Sequence, residues 1–278
     1  MEIISPFNDV TVNVVRNISS LHELPIYQNS IWCANENELA FKIEHIASYK
    51  IQNGTKVDVY PHPDSDIDSI QLFLNGSVLG AVLHQRGILP FHGSSFIYKG
   101  RGVLICGNAG VGKSSVVASF CREEGRLVND DITPVCFDNE HIMMVPLSTN
   151  LKLWDDAISL LQLDKTDLKK IRPSLNKYYV PEITREENIQ PLLHALIVLR
   201  THNQSHFEIK RPQGIERFNY LRHNIYRKVY LKGMPQTEKK YFRQLLTAAN
   251  LLDVVVVFRP QTSNALETMK YIREQILL

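Results

Sequence analysis

Between Phe91 and Asp131 the chain reads "FHGSSFIYKGRGVLICGNAGVGKSSVVASFCREEGRLVNDD". Gly107, Asn108, Ala109, Gly110, Val111, Gly112, Lys113 and Ser114 fit G-x-x-x-x-G-K-[ST], a loop whose backbone N–H groups close around phosphate oxygens. Its glycines permit the tight turns, and the helix behind it adds unpaired N–H groups and a favourable dipole. Lys113 is expected on the β and γ phosphates, the Ser114 hydroxyl in one Mg²⁺ position, and Ser115 beside them. Asp130 follows only seventeen residues after Lys113, with Asp131 next to it. One of the two carboxylates can complete a Mg²⁺ shell while the other accepts the proton of an attacking hydroxyl.

The elements around these residues must bring them together. "GVLIC" reads as the strand before the loop and "SSVVASFCREE" as the helix after it, closing at Gly125. A helix of about twelve residues climbs about 18 Å, so a returning parallel strand, "RLV", carries Asp130 and Asp131 back to the loop. Consecutive side chains on an extended strand point to opposite sides, which predicts different tasks for the two aspartates. His92 is placed by hairpin geometry. A turn at Gly100-Arg101 sets it opposite Ala109, and a turn one residue earlier sets it opposite Gly107, so either register makes it a phosphate or acceptor contact.

The rest of the 278-residue chain reads as an α/β protein with a small β-rich module over residues 1–66 and a catalytic domain over 67–278. "VTVNVV" and "ASYKIQNGTKVDVY" read as strands, the latter a hairpin through Asn53-Gly54. His62, Asp64, Asp66 and Asp68 read as a solvated loop with a helix N-cap rather than a metal site. Helices are predicted over Ile67 to Gln85, Leu151 to Leu163, Ile215 to Tyr230 and Glu238 to Asn250, and from about Asn264. Strands are predicted at Ala195–Leu199 and Asp253–Phe258. Cys33, Cys106, Cys121 and Cys136 form no C-x-x-C pair and read as small core residues. His202 and His206 have metal-like spacing but read as surface residues in a polar loop. No apolar run reaches membrane-spanning length, and "MEIISPFNDV" lacks the pattern of a secretory signal, so a cytoplasmic protein without membrane partners is expected.

Net charge is +2, split between −5 for residues 1–90 and +7 for the remainder. Residues 200–243 hold eleven Lys/Arg against three Asp/Glu, interleaved with aromatic side chains. Such a face suits phosphate, an acidic partner or RNA, or is simply the solvated side of two amphipathic helices.

The run from "HGSSFIYKGRGVLICGNAGVGKSS" through "GRLVNDD" resembles the catalytic domain of HPr kinase/phosphorylase and its smaller relatives, bacterial serine kinases that act on proteins or peptides. It is distantly similar to phosphoenolpyruvate carboxykinase in having a carboxylate pair soon after the loop. "LFLNGSVLGAVLHQRGILPFHGSS", "LKLWDDAISLL" and "HNIYR" extend the resemblance to roughly residues 40–260, strongest over 91–131. It implies a phosphate-loop kinase fold using ATP and Mg²⁺, with Asp130 as acceptor base, Asp131 and Ser114 serving Mg²⁺, and His92 in the site. No copy of the bifunctional enzymes' E-x-R-G-x-G signature follows Asp131. The chain is therefore nearer in layout to the smaller relatives, some of which modify ribosomal peptide precursors such as lasso peptides.

The expected activity is transfer of the ATP γ-phosphate to a Ser or Thr hydroxyl of a peptide or protein. A small-molecule kinase and a non-catalytic ATP-sensing module stay open, as do GTP or pyrophosphate as donor and a homo-oligomeric state. Nucleic acid is not the expected partner. Arg227, with Arg222 at a spacing of five, and Lys177 in "NKYYVP" are the residues expected to face the acceptor.

Overall fold

The computed structural model describes residues 9–138, 140–147, 150–172, 175–181 and 191–278. Residues 1–8, most of the segment read as lacking a secretory signal, lie outside the described residues. The chain is mixed α/β, and its described residues form three sheets. Its contacts divide it into two compact units: residues 1–90 with 171–173 and 226–244, and residues 91–170 with 174–225 and 245–278.

The first unit is built on six strands: β1 (Thr11–Val14), β2 (Tyr27–Gln28), β3 (Trp32–Ala34), β4 (Glu38–Ile43), β5 (Ala47–Gln52) and β6 (Lys56–Pro61). They lie in the order β1-β6-β5-β4-β3-β2. The predicted hairpin is present: Gln52 pairs with Lys56, and Asn53 (φ 53°) and Gly54 (φ 63°) supply the left-handed turn. Asp66 caps α1 (Ile67–Phe73) by accepting from the Ser69 N–H at 2.7 Å, so the acidic loop does serve a helix N-terminus. A wide turn over Leu74–Val78, holding Gly76, joins α1 to α2 (Leu79–Gln85). The expected module boundary after residue 66 moves outward. Ile70, Leu74, Val78, Ala81 and Val82 are buried in the same apolar cluster as Leu39, Tyr49, Ile51 and Val57, so the helices belong with the sheet they cover.

The second unit holds an eight-stranded sheet. β7 (Leu89–Tyr98) and β8 (Arg101–Gly107) form a hairpin through Lys99 (φ 47°) and Gly100 (φ 76°). Gly93 pairs with Cys106, which is the register that carries His92 toward Gly107. α3 (Lys113–Cys121) follows the glycine-rich loop. β9 (Arg126–Asn129) runs antiparallel to β7 and hence in the direction of β8. β10 (Ile132–Phe137) and β11 (Ile142–Met144) extend that side.

Two sequence expectations fail here. Leu151–Trp154 is not helical but lies in β12 (Asn150–Trp154), which precedes a short α4 (Asp155–Leu160) and pairs with β13 (Lys177–Pro181) in a two-stranded sheet. Leu151 and Leu153 are buried whereas Lys152 and Trp154 are not, a period of two rather than 3.6. The helix expected over Ile215 to Tyr230 stops as α5 (Gly214–His223): Asn224 leaves the helical conformation, Ile225 bridges to Phe91, and a left-handed Arg227 (φ 48°) starts a separate short turn over Lys228–Gly233.

On the other side of β8, β14 (Leu193–His202) pairs parallel with both β8 and β16 (Asp253–Pro260), and β15 (Glu208–Lys210) closes the edge. α6 (Pro235–Leu251) precedes β16, and α7 (Ala265–Ile272) follows it with a complete capping box from Asn264 and Glu267. The core here joins Val103, Ile105, Val117, Phe120, Leu153, Ile158, Ile197, Val255 and Met269, so the carboxyl ends of three parallel strands are held rigidly on one edge. No helix among the described residues is long and apolar enough to cross a membrane.

Candidate active site

A cleft of about 420 Å³ opens over the glycine-rich loop, lined by Ala109, Gly110, Gly112, Lys113, Ser114 and Ser115 from the loop and the first turn of α3. Gly107 (φ 143°), Gly110 (φ 80°) and Gly112 (φ 95°) adopt backbones that side-chain-bearing residues avoid. Lys113, only 8% exposed, donates to the carbonyls of Gly107 at 3.0 Å and Asn108 at 3.1 Å. Burial pulls its pKa below the usual lysine value, opposed by the charge of Asp131.

The two aspartates diverge as expected, by a different cause. β9 ends at Asn129 and β10 begins at Ile132, so Asp130 and Asp131 sit in a kink, with Asp131 at φ 73°. Asp130 is 5% exposed, and its Oδ1 accepts from Ser114 Oγ at 2.7 Å and from Ser94 Oγ at 2.5 Å. Its Oδ2 accepts from the backbone N–H of Lys152 at 2.7 Å. Asp131 instead lines the cleft, where Lys152 Nζ lies 3.1 Å from its Oδ2. Burial pushes the Asp131 carboxyl up. Neighbouring positive charge, Lys152 foremost, outweighs burial and brings it down to about 2.

His92 joins this cluster. Its Nδ1 lies 3.0 Å from the Asp131 carbonyl oxygen and 3.9 Å from the carboxylate, and its backbone N–H donates to Asn224 O at 2.7 Å. Burial and then the Lys113 charge lower its pKa, which favours a neutral ring with the proton on Nδ1.

Lys177 also lines the cleft, directly across the β12–β13 ribbon from Trp154 and with its Nζ 5.7 Å from the indole ring. Arg227 belongs to the first unit. There its Nη2 donates to Ser77 Oγ at 2.7 Å and its guanidinium lies 5.7 Å from the Tyr226 ring. Arg222 lies in the last turn of α5 and Arg227 beyond its end, so the two arginines share no helical face.

Other cations of the basic stretch are tied locally: Lys210 to Glu216, Arg211 to Asp253, and Arg217 to the carbonyls of Pro212 and Ala249. His202 and His206 pack ring against ring at 6.0 Å, and the described residues contain no cluster of three metal-capable side chains. All four cysteines are free, and of them only Cys106 is fully buried.

Three residues in the cleft or next to it were not singled out from sequence. Ser94 is a buried β7 residue whose partner lies thirty-six positions away. Lys152 was legible in principle, since alternation in "NLKLW" sets it opposite the buried leucines. Arg259 stands near the carboxyl end of β16, where ligands of parallel sheets are found.

A Mg²⁺ ion fits this donor set. It needs one or two protein oxygens and completes its shell with water and phosphate, and the Ser114 hydroxyl and Asp130 carboxylate are two hard oxygens side by side.

No protein-family model matches the chain, and no curated protein matches it. Among solved structures the chain is similar to an Hpr(Ser) kinase/phosphatase from Coxiella burnetii, at 14% identity, over 68% of this chain and 96% of that one, with a TM-score of 0.34. So faint a likeness carries no argument, and function must be read from the side chains of the cleft.

Proposed function

We propose that the protein is a Mg²⁺- and ATP-dependent kinase that transfers the γ-phosphate to a Ser or Thr hydroxyl of a peptide or protein. The observation that carries this reading is the split of the aspartate pair: Asp130 is bonded to Ser114, while Asp131 opens into the cleft among Lys113, Lys152, Lys177 and His92. A nucleotide sensor needs only the first carboxylate. The second has a use where a hydroxyl must be oriented and relieved of its proton.

The loop N–H groups and Lys113 hold the β and γ phosphates, and Ser114 and Asp130 are the residues that would hold Mg²⁺, which neutralises charge on those phosphates. This order of the pair is opposite to the one implied by the resemblance, and the Ser114–Asp130 hydrogen bond is its support. Asp131 accepts the hydrogen bond of the acceptor hydroxyl. The acceptor oxygen forms its bond to the γ-phosphorus as the bond to the β–γ bridging oxygen breaks, and the hydroxyl proton passes to Asp131. The neighbouring lysines hold its pKa low, so Asp131 is a weak base whose first task is to orient the hydroxyl. Lys152 and Lys177 offset charge on the transferred group, and neutral His92, whose Nδ1 proton faces the Asp131 carbonyl, leaves Nε2 as an acceptor for the incoming hydroxyl.

Incubation with γ-labelled ATP and a panel of HPr, Ser/Thr peptides and free serine tests the reading. Asp131→Asn is expected to lower kcat at least about 100-fold with Mg·ATP affinity kept, and Asp130→Asn to weaken Mg·ATP binding. The reverse pattern would restore the other order of the pair. Nucleotide binding by the wild type without transfer to any acceptor would leave an ATP-sensing module.

A further inference from the structure

Arg259 carries a donor that finds no partner among the described residues. Its Nη1 donates to the Ser263 carbonyl at 2.8 Å and lies 3.5 Å from Thr268 Oγ1, which fixes the guanidinium plane. Its Nε is buried and bonds to nothing among the described residues. Its Nη2 points at the loop: a Cβ built on Gly112 would lie 3.9 Å from it, and the same arginine lines the cleft with Lys113, Ser114 and Ser115. The acidic group acting on it is Glu267, whose carboxylate is already held by the Asn264 N–H in the α7 capping box. Burying a donor and a charge without partners is costly, so such a group is expected where a ligand supplies the acceptor.

Resting on the kinase reading above, we propose that Arg259 binds the phosphates of the donor that are not transferred, its free edge facing the oxygens held over Gly112. A guanidinium fork suits phosphate oxygens, and its pre-set plane reduces the ordering cost of binding. The γ-phosphate and the acceptor then belong to the opposite end of the cleft, beside Asp131, Lys152 and His92.

Calorimetric titration of ADP and of pyrophosphate into wild type, Arg259→Gln and Arg259→Lys tests this. Gln keeps a donor for the Ser263 carbonyl and Lys keeps the charge, so the fold of the α7 entry loop is preserved in at least one variant, as thermal melts would verify. Arg259→Gln should weaken ADP and pyrophosphate alike by about tenfold to a hundredfold, and Arg259→Lys by less. Equal affinity in wild type and Arg259→Gln would overturn the assignment and leave the kinase reading intact. A loss for ADP but not for pyrophosphate would also overturn it, since the arginine would then act on the nucleoside. A wild type that binds neither ligand would sink the phosphate-loop reading and this assignment together.

Discussion

Each unit buries an ionic cluster, and the two differ in what they leave over. In the first unit Lys50, with 0% exposure, spends its three N–H donors on Glu38 Oε1 at 3.0 Å, Ser19 Oγ at 3.2 Å and the Ser20 carbonyl at 2.7 Å. Glu38 in turn accepts from the His22 backbone at 2.6 Å, and His22 Nδ1 lies 2.6 Å from its other oxygen. The cluster is closed, and it ties the segment around residues 19–23 to the sheet. In the second unit the Lys113 ammonium makes two hydrogen bonds, both to backbone carbonyls, and the Arg259 Nε makes none among the described residues. A satisfied buried charge holds a fold together; an unsatisfied one beside a cleft is set for a ligand.

Opening the closed cluster should have the largest effect. Lys50→Ala leaves the Glu38 carboxylate buried without its cation, and we expect a loss of about 3–5 kcal/mol in urea unfolding. The double change Glu38→Gln with Lys50→Met should recover most of it, since it leaves neither charge buried without its partner.

The corresponding change in the open cluster, Lys113→Ala, should leave the melting temperature unchanged or raised while lowering turnover about a hundredfold to a thousandfold. Equal turnover would mean that its spare donor has no ligand to meet. A fall in stability as large as that of Lys50→Ala would mean that the two clusters do the same job.

Acid sharpens the contrast with a smaller effect. Burial pushes the Glu38 carboxyl up, and hydrogen bonds from Lys50 and His22 overcome it and bring it from 4.5 to about 2. A folded-state pKa below the unfolded value stabilises the fold above the unfolded pKa. That contribution should be lost as pH falls from about 4.5 to about 2. Unfolding of wild type and Glu38→Gln measured across that window should converge at its acid end; curves that stay parallel would remove Glu38 from the account.

What the sequence revealed follows the range of the interactions. The glycine-rich loop is defined by eight consecutive residues between a strand and a helix, so its backbone and the return of Asp130 and Asp131 were readable. The β7–β8 turn left two registers, and Tyr98 opposite Arg101 selects one. Leu151, Trp154, Ile158 and Leu161 fall at i, i+3, i+7 and i+10, which satisfies a helical spacing as readily as a strand followed by a helix, so the sequence pattern conceals β12 and Lys152 with it. Arg259 could not be recognised because its neighbour across the loop, Gly112, lies far away in the chain. The extent of the first unit was hidden for the same reason: residues 226–244 return to it after the second unit has begun.

The left-handed backbone of Asp131 limits which residues can replace it. At φ 73° asparagine and glycine are accommodated with little strain, whereas alanine, glutamate or a branched side chain would strain the kink between β9 and β10. In the genetic code an aspartate codon becomes either of those tolerated residues by changing a single base. Loss of the carboxylate at this position can therefore arrive without loss of the fold, and under the proposed kinase reading one substitution would yield a folded, silent copy.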